Sequence, residues 1–197
     1  MSPSEQPRIA PGGQAELGRV TWALLNLVRR KTGGPIPNVM RTLGLHRGVF
    51  LPWLIYSSRL MPFGKLRGTE SELIILRVAA RTGSEYERSH HESLGAQAGL
   101  GQDVMAWVHA APAGDAVGAP ANDGIEVEVA ELLVRAADEL LDDRDLSDDT
   151  FAALSARFED RKVIEICLLV GHYAGLAATL KAARVQLEPD AGMHKLR

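Results

Sequence analysis

The chain has 197 residues, 46% of them hydrophobic and 24% charged, and a formal net charge of −3. That length and apolar content suit a domain with a sizeable core, and the scattered Lys and Arg residues exclude the basic stripe of a nucleic-acid-binding protein. No run of about 18 apolar residues is present, so no membrane span is expected, and the N-terminus lacks the basic-then-apolar pattern of a secretory signal.

Residues 1–16, "MSPSEQPRIAPGGQAE", read as a flexible tail. A single all-helical domain is expected over 17–187, with a second tail at 188–197. The segment "QAELGRVTWALLNLVRRK" places Leu17, Val20, Leu24 and Val28 near helical spacing and stops at Gly33-Gly34. "PNVMRTLGLHRGVFLPWLIYSSRLMPFG" reads as a short helix, a break near Gly44 and an apolar helix carrying Pro52. Pro52 is tolerated in a first turn and disruptive further in. "GTESELIILRVAAR" is a third helix ending at Gly83, and another begins at Ser84 and runs toward Gly99. "GQDVMAWVHAA" is a short helix.

Residues 111–124, "APAGDAVGAPANDG", form a Gly-, Pro- and Ala-rich loop. Asp123 and Glu126 have capping-box spacing for the helix in "IEVEVAELLVRAADELL". Ser147 is the expected N-cap of "LSDDTFAALSARF", and "EDRKVIEICLLVGHYAGLAATLKAARV" is a long final helix. No strand is left over, so the fold class is all-α. The single cysteine, Cys167, excludes an intrachain disulfide or paired-thiol motif; within "VIEICLLVG" it reads as a buried thiol. These features together point to a cytoplasmic protein.

The ionisable residues concentrate in "SEYERSHHESLGAQAG", directly after the most apolar helix. On that preceding helix Glu72 lies within about 40° of Leu76 and Ala79, and Arg77 and Arg81 fall on the opposite, solvent-facing side. Glu72 is then either an acid near a helix N-terminus or an inward group. On the next helix Ser84, Glu87, His91, Leu94 and Ala98 share one face, with Leu94 and Ala98 as its apolar members. Tyr86, His90, Ser93 and Gln97 form the neighbouring flank. Ser84 and Glu87 also have the S-x-x-E spacing of a capping box. An inward His91 beside an inward acid is an arrangement suited to proton transfer, the alternative being a satisfied core histidine. A metal site is not expected, because "HHES" lacks the HExxH spacing.

The stretch "ESELIILRVAARTGSEYERSHHESLGAQAGL" resembles the core motif of the carboxymuconolactone decarboxylase and alkylhydroperoxidase D superfamily. The likeness continues more loosely from "LLVRAADELL" to "GHYAGLAATL". It implies a helical, oligomeric subunit with Glu72 at the family's acid and His91 at its histidine. Tyr86 falls where the peroxidase branch often has a second histidine, and Ser84 and Glu87 fall at its two cysteines. Without those thiols, thiol-based peroxide reduction is excluded. The decarboxylase branch implies acid–base chemistry on a small carboxylated or lactone-type molecule, with no cofactor. Glu72 and His91 would be catalytic, and Tyr86, Glu87, His90, His172 and Tyr173 would contact substrate. The alternatives are a peroxidase relative lacking its CxxC pair and a non-catalytic binding protein. No nucleic-acid or membrane partner is expected. The apolar circumferences of "GVFLPWLIYSSRLM" and "LIILRVAA" predict a homo-oligomer, a dimer or trimer.

Overall fold

The computed structural model describes residues 6–32 and 34–188. Among them the chain forms ten α-helices and no β-strand, the all-α class expected. It divides into two compact units, one drawn from Met1–Ser57 and Thr179–Arg197, the other from Ser58–Ala178.

The first unit holds α1 (Gln14–Leu17), α2 (Arg19–Thr32), α3 (Asn38–Leu43) and most of α4 (Arg47–Leu60). One continuous helix was expected over α1 and α2. Gly18 separates them instead, at a positive φ of 79° that favours glycine. The break resets the helical phase, so the core takes Leu17, Leu25, Ile36 and Phe50, while Val20 is left 75% exposed. Residues 8–12, read as part of a loose tail, are tied down here. The Arg8 and Ile9 N–H groups donate to the Ala183 carbonyl, and the Gly12 N–H donates to Arg41 O. Pro52 lies inside α4, beyond its first turn.

The second unit is built around α5 (Gly68–Thr82), whose residues from Thr69 to Ala79 are all buried. Helices α6 (Glu85–Ala98), α7 (Gln102–Ala110) and α8 (Val127–Asp142) pack around it. Helix α9 (Asp148–Arg157) packs on α8, and α10 (Asp160–Ala183) supplies Val163, Ile166, Leu169, Val170 and Tyr173 to the same core. Glu70 starts α5 by accepting from the Arg67 N–H at 2.7 Å, and Gly83, left-handed at φ 63°, ends it. Ser147 caps α9 as expected, its Oγ accepting from Thr150 N–H at 3.2 Å.

Two expectations fail in this unit. The Asp123–Glu126 capping box is not formed. The N-cap of α8 is Glu126 itself, without a side-chain bond, and Asn122 Oδ1 takes the Gly124 N–H at 2.8 Å instead. The larger correction concerns Arg77, expected on the solvent face of α5 and found 1% exposed. Helix α8 covers that face and brings Asp138 to it. All five N–H donors of the guanidinium are used. Asp138 accepts at 2.7 and 2.6 Å, and the carbonyls of Val108, Ala111 and Pro112 accept at 2.9, 2.9 and 3.2 Å. Arg81 adds a third bond to Asp138 at 2.7 Å and also pairs with Asp142. Burial alone would push the Asp138 carboxyl up, but the Arg77 and Arg81 bonds and the Gly114 N–H outweigh it and hold it below the usual aspartate range.

By length and composition α10 is long and apolar enough to cross a membrane, with a window of mean hydropathy 1.7 that is 44% buried in the fold, a test that the core helix of a folded domain also passes. Its Glu165 is buried and accepts the Lys65 and Leu66 N–H groups at 2.8 and 2.9 Å.

Candidate functional site

Helices α5 and α6 are joined by the tight left-handed turn at Gly83, so they pack along their length. That turn sets Glu72, early in α5, opposite His91, midway along α6. The two side chains meet directly, with Glu72 Oε2 2.7 Å from His91 Nδ1, and the residues are 4% and 7% exposed. The carboxylate accepts the Nδ1–H, which fixes the ring's orientation and turns Nε2 to the opposite side.

The inward face of α6 is not the one its apolar residues suggested. Leu94 is 39% exposed and Ala98 is exposed as well, while Glu87, His91 and Gly95 are buried. Glycine at position 95 allows this. A Cβ there would come within 3.3 Å of Leu100, 3.4 Å of Met105 and 3.5 Å of Leu76. The helix therefore lies close against its neighbours along a line of polar residues.

Ser84 stands at the N-cap of α6 but makes no capping bond. Its ψ of 88° lies off the extended conformation that capping residues usually adopt. The Ser84–Glu87 capping box is therefore absent. Ser84 Oγ and both carboxyl oxygens of Glu87 are buried without a hydrogen-bond partner in ordinary geometry. Burial pushes the Glu87 carboxyl up to about 7, with the nearby Ser84 hydroxyl pulling weakly the other way.

Helix α10 closes the cluster with Tyr173, which is buried and stands edge-on to the His91 ring, centroids 5.1 Å apart at 87°. Its phenol is held protonated far above the usual tyrosine range, first by burial and then by the Glu72 and Glu87 carboxylates. His172 packs edge-on against Tyr173 at 5.3 Å, and burial lowers its pKa. Tyr86 and His90 stack on each other at 4.5 Å, and His90 Nδ1 lies 3.1 Å from the Tyr86 carbonyl. The structure thus gathers Glu72, His91, Tyr173 and His172, with Glu87 one helical turn before His91. It pairs Tyr86 with His90 on the adjoining flank.

Cys167 is half-buried, and burial raises its thiol pKa. Among the described residues no group of three or more His, Cys, Asp and Glu is placed to hold a metal ion.

Sequence reasoning missed two features. One is that Glu87 is buried with only the Ser84 hydroxyl near it. The other is the Arg77–Asp138 knot that fixes the far half of α5. The available signal for the knot was a lone arginine in the apolar run "LIILRVAA" and an aspartate in "LLVRAADELL".

No protein-family model matches the sequence, and no curated protein is similar to it. Solved structures are similar in fold. An uncharacterized peroxidase-related protein from Ralstonia eutropha JMP134, with an alkylhydroperoxidase AhpD core, superposes with a TM-score of 0.78 at 18% identity, covering 94% of each chain. A peroxidase-related protein from Silicibacter sp. TM1040 gives 0.76 at 14% identity, over 95% of this chain and 97% of the other. A cysteine-to-alanine variant of the debrominase Bmp8, in complex with 2,3,4-tribromopyrrole, gives 0.68 at 14% identity over 93% of each.

Proposed function

With the alkylhydroperoxidase-D-like fold as premise, we propose that the second unit carries an acid–base site for a small carboxylated or lactone-type molecule. The observation that carries this reading is the buried 2.7 Å bond between Glu72 and His91, with Tyr173 against the imidazole ring. The bond orients the ring and leaves Nε2 to act as base. When Nε2 takes a proton from substrate, the imidazolium that forms lies against the Glu72 carboxylate. The same proton can then return to another substrate atom, which is an isomerisation. In a decarboxylation, the bond to the substrate carboxyl breaks, CO2 leaves, and the electron pair passes into the conjugated carbonyl as a dienolate. A protonated His91 then delivers its proton to carbon and recovers one from solvent. Tyr173 stays a phenol throughout and is a hydrogen-bond donor for a developing oxyanion.

Thiol-based peroxide reduction does not fit this chain. The position of each family cysteine holds Ser84 or Glu87, and Cys167 is the chain's single thiol.

The test is a turnover screen of unsaturated lactone acids and small dicarboxylates, following CO2 release and proton consumption, on the wild type, His91→Asn and Glu72→Gln. A substrate turned over by the wild type and lost in His91→Asn supports the proposal. Ligand binding without turnover across the panel would indicate a binding protein instead.

A further inference from the structure

The start of α6 carries polar groups that the acid–base pair does not use. Ser84 and Glu87 are each 3% exposed, and apart from their approach to each other their side-chain oxygens have no hydrogen-bond partner. Buried polar groups are normally satisfied, and each exception calls for a reason. No side chain caps the first-turn N–H groups of this helix, which has 14 residues, and such groups favour an anion. Glu87 precedes His91 by one helical turn on the same face, so their Cβ atoms lie roughly 6 Å apart. A small molecule seated at Ser84 and Glu87 would lie against the His91 ring.

We infer that Ser84 and Glu87 form the recognition end of this site, where a protonated Glu87 and the Ser84 hydroxyl hydrogen-bond a carboxylate group of the ligand. A protonated carboxyl supplies one O–H donor, and the Ser84 hydroxyl supplies a second. An ionised Glu87 would repel the same ligand, so carboxylate binding holds a proton on Glu87. The groups around Glu87 allow this. Glu72 of α5 is bonded to His91, and Tyr173 of α10 remains neutral. His172 is shifted by burial toward its neutral form. From α7, His109 is engaged by the half-buried Arg88, 3.0 Å from its guanidinium. No cation faces Glu87 in this set to keep it charged.

This inference deepens the acid–base reading by naming the residues that recognise the ligand's carboxylate, and it rests on that reading only for what happens at His91. The experiment is calorimetric titration with acetate and with benzoate from about pH 5.5 to 8.5. The proteins are the full-length wild type, Ser84→Ala, Glu87→Gln and His91→Asn. The wild type is expected to bind carboxylate, with affinity falling toward tenfold per pH unit above about pH 7 as Glu87 loses its proton. Glu87→Gln keeps an N–H donor and cannot titrate, so it should bind with a flat pH profile. Ser84→Ala should bind more weakly at every pH with the slope unchanged. His91→Asn, which alters the ring the ligand lies against, should bind more weakly but with the wild-type pH slope. Absence of carboxylate binding to the wild type at any pH, or a pH slope that survives in Glu87→Gln, overturns the inference. Retained turnover in His91→Asn would instead defeat the acid–base reading and leave the binding result standing.

Discussion

At the scale of single residues, Glu87 has a consequence for stability that needs no ligand. Its folded pKa, about 7, lies above the ordinary glutamate value of 4.5. The stability that this buried carboxyl contributes is fully present below the unfolded pKa. It is lost as pH rises through the folded one, because the unfolded chain gives up its proton first. Glu87→Gln should therefore raise Tm above pH 7 by several degrees, corresponding to at most about 3 kcal/mol. The gain should vanish near pH 4. Thermal unfolding of both proteins across that range checks the sign, and a gain that grows toward acid would contradict it. Glu72→Ala tests the other member of the cluster. It leaves the buried His91 Nδ1–H without its acceptor and should cost about 1–3 kcal/mol in urea unfolding. The inward facing of Glu72 was legible in the sequence, because it shares its helix face with buried Leu76 and Ala79; that of His91 was read through Leu94 and Ala98, which the fold leaves exposed. The state of Glu87 was not legible. S-x-x-E spells a cap, and only the backbone angles of Ser84 show that the cap does not form.

At the scale of elements, most helix boundaries could be read from glycines, the loop at 111–124 and the Ser147 cap. Those signals are local. The environment of Arg77 is not local, since its partner Asp138 is 61 residues away on a helix whose placement no helical wheel supplies. Breaking that pair alone leaves a buried charge. Asp138→Asn should cost about 3–5 kcal/mol, whereas joint replacement by Arg77→Met and Asp138→Leu should cost less than the two single losses combined. A double-mutant cycle in urea measures the coupling. Exchange of the Gly114 amide, which donates to Asp138 at 3.1 Å, should quicken in the same variants. Gly124 makes a sharper prediction. A Cβ there would lie 2.4 Å from the Gly99 carbonyl oxygen and 3.0 Å from its carbon, both backbone atoms. Gly124→Ala should therefore destabilise by about 2 kcal/mol despite changing a loop position.

At the scale of the whole molecule, the sequence overstated the need for outside cover. "LIILRVAA" is apolar on most sides, but α6, α7 and α8 bury it within the second unit. Other apolar residues remain exposed. Leu51 and Ile55 of α4, one turn apart, are 36% and 63% exposed, and Ile164 and Leu168 of α10 are 59% and 45% exposed. Exposed apolar rows of this kind commonly mark interfaces, and closed symmetric assembly is the usual outcome. The expected species in light scattering is a dimer or trimer of the 21.3 kDa chain. Ile164→Glu and Ile55→Glu should lower the mass if their rows are the seams. A mass that stays at one chain as concentration rises would return these rows to ordinary surface.

The Glu72–His91 bond has a spectroscopic consequence. A proton held at 2.7 Å between a ring nitrogen and a carboxylate, with little access to water, should resonate far downfield of the amide envelope. It can exchange with solvent only when α5 and α6 part. Its linewidth on warming would then time the opening of the second unit, and its persistence would show whether that opening is a local separation of two helices or the unfolding of the whole unit. The histidine would be its own clock, readable before any substrate is known.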